Sequence, residues 1–218
     1  VVLTYLVSTV IDYQFQVVIA NFIESKDGRS AFFGMFFGVT GILAALVQLF
    51  VTGRLLERFG VLIALLLLPL TMFSGSALLL IFPALWAASF TKGSENVLRY
   101  TVNDATLQLL YLPVPSAQRG RAKAFIDGIL RPLSIGMAGL LLALLTGGVV
   151  NIGITLETHH FSALALVLLL FWIFLLFRLK GEYMKSLLAT LQRRRLDFSD
   201  TNLKISDEAT LQVIRKDR

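Results

Sequence analysis

Apolar runs of about 20 residues, the length that crosses a bilayer, recur along this chain and are separated by short polar stretches. The pattern predicts six helical spans, at residues 1–23, 31–52, 61–82, 84–112, 125–150 and 161–179. Alternation with a period of two, the mark of a barrel, is absent. In the first span Ser8, Asp12 and Gln16 recur every four residues, with Tyr5 and Thr9 beside them, so this helix has one polar face. That face reads either as a hydrogen-bonded seam or as a buried Asp lining a path through the membrane. The second span sets Gly34 and Gly38 four apart, with Gly41 close by, a small-residue face expected to pack closely against another helix. The third carries Pro69 and the cluster Ser74-Gly75-Ser76, both tolerated where neighbouring helices cover the backbone. The sixth, with Trp172 among unbroken Leu, Phe and Ala, reads as lipid-facing.

Residues 86–131 break the apolar pattern with Lys92, Glu95, Arg99, Asp104, Asp127 and Arg131. A charge at membrane depth costs roughly 2.5–3.5 kcal/mol on insertion scales, so it usually faces a cavity or a partner. At about 100° per residue, Ser89, Glu95, Asn96, Arg99, Asn103 and Thr106 all fall within about 60° of Lys92, as one polar stripe. Lys92 and Glu95 lie about 12–17 Å along this helix, too deep to snorkel easily. Lys92–Glu95 and Glu95–Arg99 are i,i+3 and i,i+4 pairs that can neutralise each other. Two cations against one anion nevertheless leave a positive excess, which an anionic substrate would balance, and Asn96 and Asn103 add amide hydrogen bonding. Asp127 and Arg131 share a face one turn apart, with Arg131 only about 9 Å inside its span. Pro132 would clash with the carbonyl of Gly128, which predicts a kink.

Composition agrees with a polytopic helical membrane protein: 56% hydrophobic and 16% charged, against about 25% charged in soluble domains. The net charge of +6 maps mostly to loops and tail, so it reports orientation rather than nucleic acid. The stretches 24–30, 53–60 and 116–123 carry two, two and three basic residues, and the tail from Arg178 carries ten. The connections after the third and fifth spans carry none, which places both ends of the six-helix unit in the cytoplasm. There is no cysteine, and His159 and His160 are adjacent, so no metal site is expected. Nor is there a phosphate-cradling loop or a nucleophile elbow, so neither a cofactor nor an enzyme activity is expected. The chain begins at Val1 inside an apolar run, so it reads as a fragment, in which a cleavable signal peptide is not expected. Residues 181–218 read as a cytoplasmic amphipathic tail, in which Ser206-Asp207-Glu208 would cap a further helix.

Two sets of residues resemble known families. Gly53-Arg-Leu-Leu-Glu57-Arg58-Phe-Gly60 resembles the loop between the second and third helices of a major facilitator half, with Glu57 in the place of the usual Asp. Asp12-Tyr-Gln-Phe15, Leu98-Arg-Tyr100, Leu110-Tyr-Leu-Pro113 and Arg121-Ala-Lys-Ala-Phe-Ile-Asp-Gly128 together resemble the C-terminal half of the ATP/ADP antiporter family. That family comprises nucleotide transporters of plastids and intracellular bacteria, with a free-living bacterial branch whose membrane domain runs into HEAT-type helical repeats. The resemblance implies an all-α membrane protein, with residues 1–180 as six spans of a twelve-helix major-facilitator-type transporter. Residues 181–218 would begin a repeat domain, and the N-terminal six-helix half of the same protein would be a partner. It implies a bacterial inner-membrane antiporter, working by alternating access, for ATP/ADP or another organic anion. Substrate binding would fall to Asp12, Gln16, Lys92, Glu95, Asn96, Arg99, Asn103, Asp127 and Arg131, and gating to the loop of Gly53, Glu57, Arg58 and Gly60. The alternative from another class is a non-transporting anchor or sensor for cytoplasmic repeats.

Overall fold

The structure, a computed structural model, describes residues 2–111, 116–146 and 160–178, with 116 and 117 by backbone alone. The chain divides into two units, residues 1–176 and 177–218. Every described element is a helix: α1 (Val2–Phe22), α2 (Lys26–Leu46), α3 (Gly53–Ile81), α4 (Leu85–Leu98), α5 (Asp104–Leu110), α6 (Ser116–Phe125), α7 (Arg131–Leu145) and α8 (His160–Arg178). Wide π-helical turns at Val47–Thr52, Arg99–Asn103 and Ile126–Leu130 join α2 to α3, α4 to α5 and α6 to α7.

Four helical stretches are long and apolar enough to cross a bilayer: Val2–Phe22, Lys26–Ile81, Gln118–Leu145 and His160–Arg178. The second has 56 residues and leaves helical geometry at Gly60 (φ 77°, ψ 172°), a conformation that only glycine adopts without strain. The polar stretch 53–60, expected as a loop, is therefore helical through Phe59, and the connection shrinks to one residue. Gly53, Glu57 and Arg58 stand in the helix, and Arg54 donates to the Phe50 carbonyl at 2.8 Å. The basic stretch 116–123, also expected as a loop, is helix α6 running into the fifth span. The helix α2 starts earlier than residue 31, because Ser25 caps it by accepting from Gly28 N at 3.1 Å. At Pro132 the chain makes the π turn Ile126–Leu130, where Arg131 N bonds back to Ile126 O. This wider loop is the local change found where the proline was expected to kink the helix.

The helix α1 is the centre of the packing and contributes to all three apolar clusters. Val7 and Ile11 meet Leu68, Met72, Leu169 and Trp172; Phe15, Val18 and Ile19 meet Leu79, Ala87 and Ala88; Val10 meets Leu142, Phe161 and Ala165. The sixth span is thus two-faced rather than wholly lipid-facing. Phe161, Ala165, Leu169 and Trp172 are buried, whereas Val167, Leu170, Phe174 and Phe177 are exposed.

Glycine positions sort unexpectedly. A Cβ on Gly75 would sit 2.5 Å from Thr91 Oγ1 and 3.0 Å from Thr91 Cα, so α3 and α4 approach backbone to side chain there. The Gly34, Gly38 and Gly41 face, expected to pack, has nothing within 4 Å of a Cβ at any of the three. Instead α2 meets α4 through Phe36 and Thr40 at Gly93, and meets α1 through rings of Phe32, Phe33 and Phe36 around Phe15. The amphipathic tail expected over residues 181–218 and the connection 151–159 lie outside the described residues.

Candidate functional site

The polar faces of α1 and α4 run antiparallel and zip together. Asp12 meets Lys92, Ser8 meets Glu95, and Tyr5 meets Arg99. Lys92 Nζ forms ion pairs with Asp12 Oδ1 and with Glu95 Oε2, the latter at 2.6 Å. Glu95 Oε1 takes Arg99 Nη1 at 2.8 Å and the Ser8 hydroxyl at 2.8 Å. Glu95 is wholly buried and Lys92 nearly so, at 6% side-chain exposure, whereas Asp12 is 42% exposed.

The charge balance differs from the one expected. Within α4 alone there are two cations and one carboxylate, but Asp12 from α1 supplies a second carboxylate. The network is neutral, so the surplus positive charge does not reside in it. The reason is tertiary: local spacing shows the i,i+3 and i,i+4 partners but not the facing helix.

The cationic groups continue into a cleft of about 190 Å³ that begins at Arg99. Thr4, Tyr5, Asn103, Asp104, Gln108, Tyr111, Lys123, Asp127 and Arg131 line it with Leu107 and Ile126. Arg99 Nη2 bonds the Tyr100 hydroxyl at 2.6 Å, and its guanidinium lies over the rings of Tyr100 (4.7 Å) and Tyr5 (5.7 Å). The Arg131 guanidinium lies 4.9 Å from the Tyr5 centroid. Among the described residues, Lys123, Asp104, Asp127 and Arg131 enter none of the ion pairs. A second cleft, about 540 Å³, opens along α1 and α2 and is lined by Asp12, Tyr13, Phe15, Gln16, Val17, Ala20, Arg29, Phe33 and Phe37. Asp12 lines this cleft and Arg99 the other, with Lys92 and Glu95 between them in the network.

The structure therefore brings Asp12, Lys92, Glu95 and Arg99 into one network, and Arg99, Asn103, Asp127 and Arg131 into one cleft. It does not bring Asn96 to either: Asn96 Nδ2 donates to Thr40 Oγ1 on α2 at 3.1 Å. Gln16 belongs to the second cleft alone. Glu57 and Arg58 are exposed on the helix before Gly60, and neither lines either of these two clefts. Tyr5, Ser8, Asp104, Gln108 and Lys123 were missed as site residues. Tyr5 and Ser8 were within reach of the sequence, since both lie on the polar face of α1. No cluster of three or more acidic or histidine side chains suited to a metal occurs among the described residues.

No protein-family model matches the chain, and no solved structure does. It is similar to ADP,ATP carrier protein 1 of Chlamydia muridarum, at 30% identity over 45% of this chain and 22% of that protein. The similarity to ADP,ATP carrier protein 1 of Chlamydia trachomatis has the same identity and coverage. ADP,ATP carrier protein 2 of Chlamydia trachomatis is 27% identical over 66% of this chain and 30% of its own length. The chain thus spans less than a third of these relatives.

Proposed function

We propose that this chain forms six membrane-crossing segments of a secondary transporter for nucleotides such as ATP and ADP, or for another organic anion. The observation that carries this reading is the Asp12–Lys92–Glu95–Arg99 network. It sets a buried, neutral group of charges beside a cleft holding two further cations, Lys123 and Arg131, and two carboxylates, Asp104 and Asp127. Similarity to ADP,ATP carriers supports a nucleotide as that anion.

The network suits a site that lends a cation. An anion reaching Arg99 competes with Glu95 for the guanidinium. When Arg99 turns away, Glu95 keeps Lys92 at 2.6 Å and the Ser8 hydroxyl at 2.8 Å, so no carboxylate is left buried and unpaired. That matters because an orphaned buried charge costs about 3–5 kcal/mol. Lys123 and Arg131 supply attraction on the approach, and the amides of Asn103 and Gln108 supply hydrogen bonds. Clefts on either side of the network fit alternating access, one half rocking against another. The open face of Gly34, Gly38 and Gly41 suits close approach of a helix from an N-terminal half. The basic α6 marks a cytoplasmic side, in keeping with a bacterial inner membrane and with both ends of the unit inside.

Exchange in proteoliposomes tests this. Vesicles containing the full-length protein and loaded with ADP should take up radiolabelled ATP, and empty vesicles should not. Equal uptake with and without internal nucleotide would exclude exchange, and no uptake of any organic anion would exclude the transporter reading.

A further inference from the structure

We infer that Tyr5 is a positioning residue: its ring holds the guanidiniums of Arg99 and Arg131 ready for one phosphoryl group of the substrate. This rests on the transport reading above and adds to it a residue that makes the anion site. Tyr5 stands on α1, Arg99 caps the C-terminal end of α4 and Arg131 opens α7, so one ring faces cations from two other parts of the bundle. Two guanidiniums facing one cleft repel each other, and the one ring attracts both by its quadrupole.

The two arginines are not equivalent. Arg99 uses Nη1 on Glu95 and Nη2 on the Tyr100 hydroxyl. Arg131 has no hydrogen bond or ion pair within 4 Å from its side chain among the described residues; it lies over the Tyr5 ring, in a cleft that also holds the Asp104 and Asp127 carboxylates. A ring face attracts the charge but accepts no forked pair of N–H bonds, so the planar donor edge of Arg131 stays available. A tetrahedral oxyanion takes such an edge in bidentate fashion. The Tyr5 hydroxyl has no hydrogen bond among the described residues, although Tyr5 lines the cleft. The ring rather than the hydroxyl therefore does the positioning, and phenylalanine should replace it.

The test uses the full-length protein in proteoliposomes, with ATP uptake and with ATP and inorganic pyrophosphate binding as readouts. Tyr5→Leu should raise the half-saturating ATP concentration about tenfold and leave turnover at saturation within about twofold. Tyr5→Phe should behave as wild type. In an Arg131→Gln background, Tyr5→Leu should cost less than it does in the wild type, because the ring would already have lost one of its two cations. Unchanged affinity in Tyr5→Leu, or equal damage from Phe and Leu, would overturn the inference while leaving transport standing. Should Tyr5→Leu fail to accumulate, Arg131→Lys decides: it keeps the charge over the ring and loses the fork, so affinity must fall, and wild-type affinity overturns the proposal. If the wild-type protein binds neither ATP nor pyrophosphate, the transport reading falls and this inference with it.

Discussion

Asp12 and Lys92 form an ion pair that ties the middle of α1 to the middle of α4. The pair turns a row of local charges into a neutral network, because Lys92 serves two carboxylates and Glu95 serves two cations. Burial then ranks the members. Glu95 has no solvent exposure, so nothing but its partners balances it, whereas Asp12 reaches a cleft that can hydrate it.

Glu95→Leu should be the most damaging single change in the network. It leaves Lys92 and Arg99 without their shared anion, and breaking a buried pair costs about 3–5 kcal/mol. Asp12→Asn should cost about 1 kcal/mol or less, since the half-exposed carboxylate is screened by solvent. Thermal unfolding of the purified variants in one detergent checks the order; a larger loss for Asp12→Asn would show that exposure does not govern it.

Changing Glu95 and Arg99 together to Gln separates pairing from binding. Pairing depends only on the two partners, so the double variant should recover most of the stability that either single variant loses. Anion uptake should stay low, because binding needs the positive charge itself. Uptake at the wild-type level by Glu95→Gln/Arg99→Gln would remove Arg99 from the anion site and leave Lys92, Lys123 and Arg131 to carry the reading.

The glycines make opposite predictions. Gly75→Ala should destabilise by about 1–3 kcal/mol, because its methyl group meets Thr91 at a distance that forces α3 and α4 apart. Gly38→Ala should be neutral or gain up to about 1 kcal/mol from helix propensity. Gly38→Leu extends the comparison: a loss of assembly in the full-length protein would reveal a helix seated on that face, and normal assembly would count against one. Chemical denaturation and size-exclusion chromatography measure these.

Orientation is open to labelling. A single cysteine at His159 should react with an impermeant maleimide from outside intact cells, and one at Gln118 should react only after permeabilisation. The reverse pattern would invert the topology inferred from the basic residues.

Run length and spacing in the sequence determined most of the helices, and with them the local pairs Lys92–Glu95 and Glu95–Arg99. Both depend on interactions within a turn or two, where residue type and separation are enough. They also picked out Asp12 and the stretch that holds Arg99, Asn103 and Arg131. Tertiary structure alone decided which neighbour each side chain met. It gave Asp12 to Lys92, sent Asn96 to Thr40, buried Trp172 against α1, and left Gly38 open while crowding Gly75. Helical spacing gives the direction of a side chain about its own axis, but not the crossing angle or register of the next helix. The π turn at Arg99–Asn103 adds a further displacement, since one extra residue in a turn rotates everything after it by about 100°. A wheel drawn from Lys92 therefore holds for Glu95 and Arg99 but not for Asn96, and beyond Arg99 the position of each polar group is set by packing.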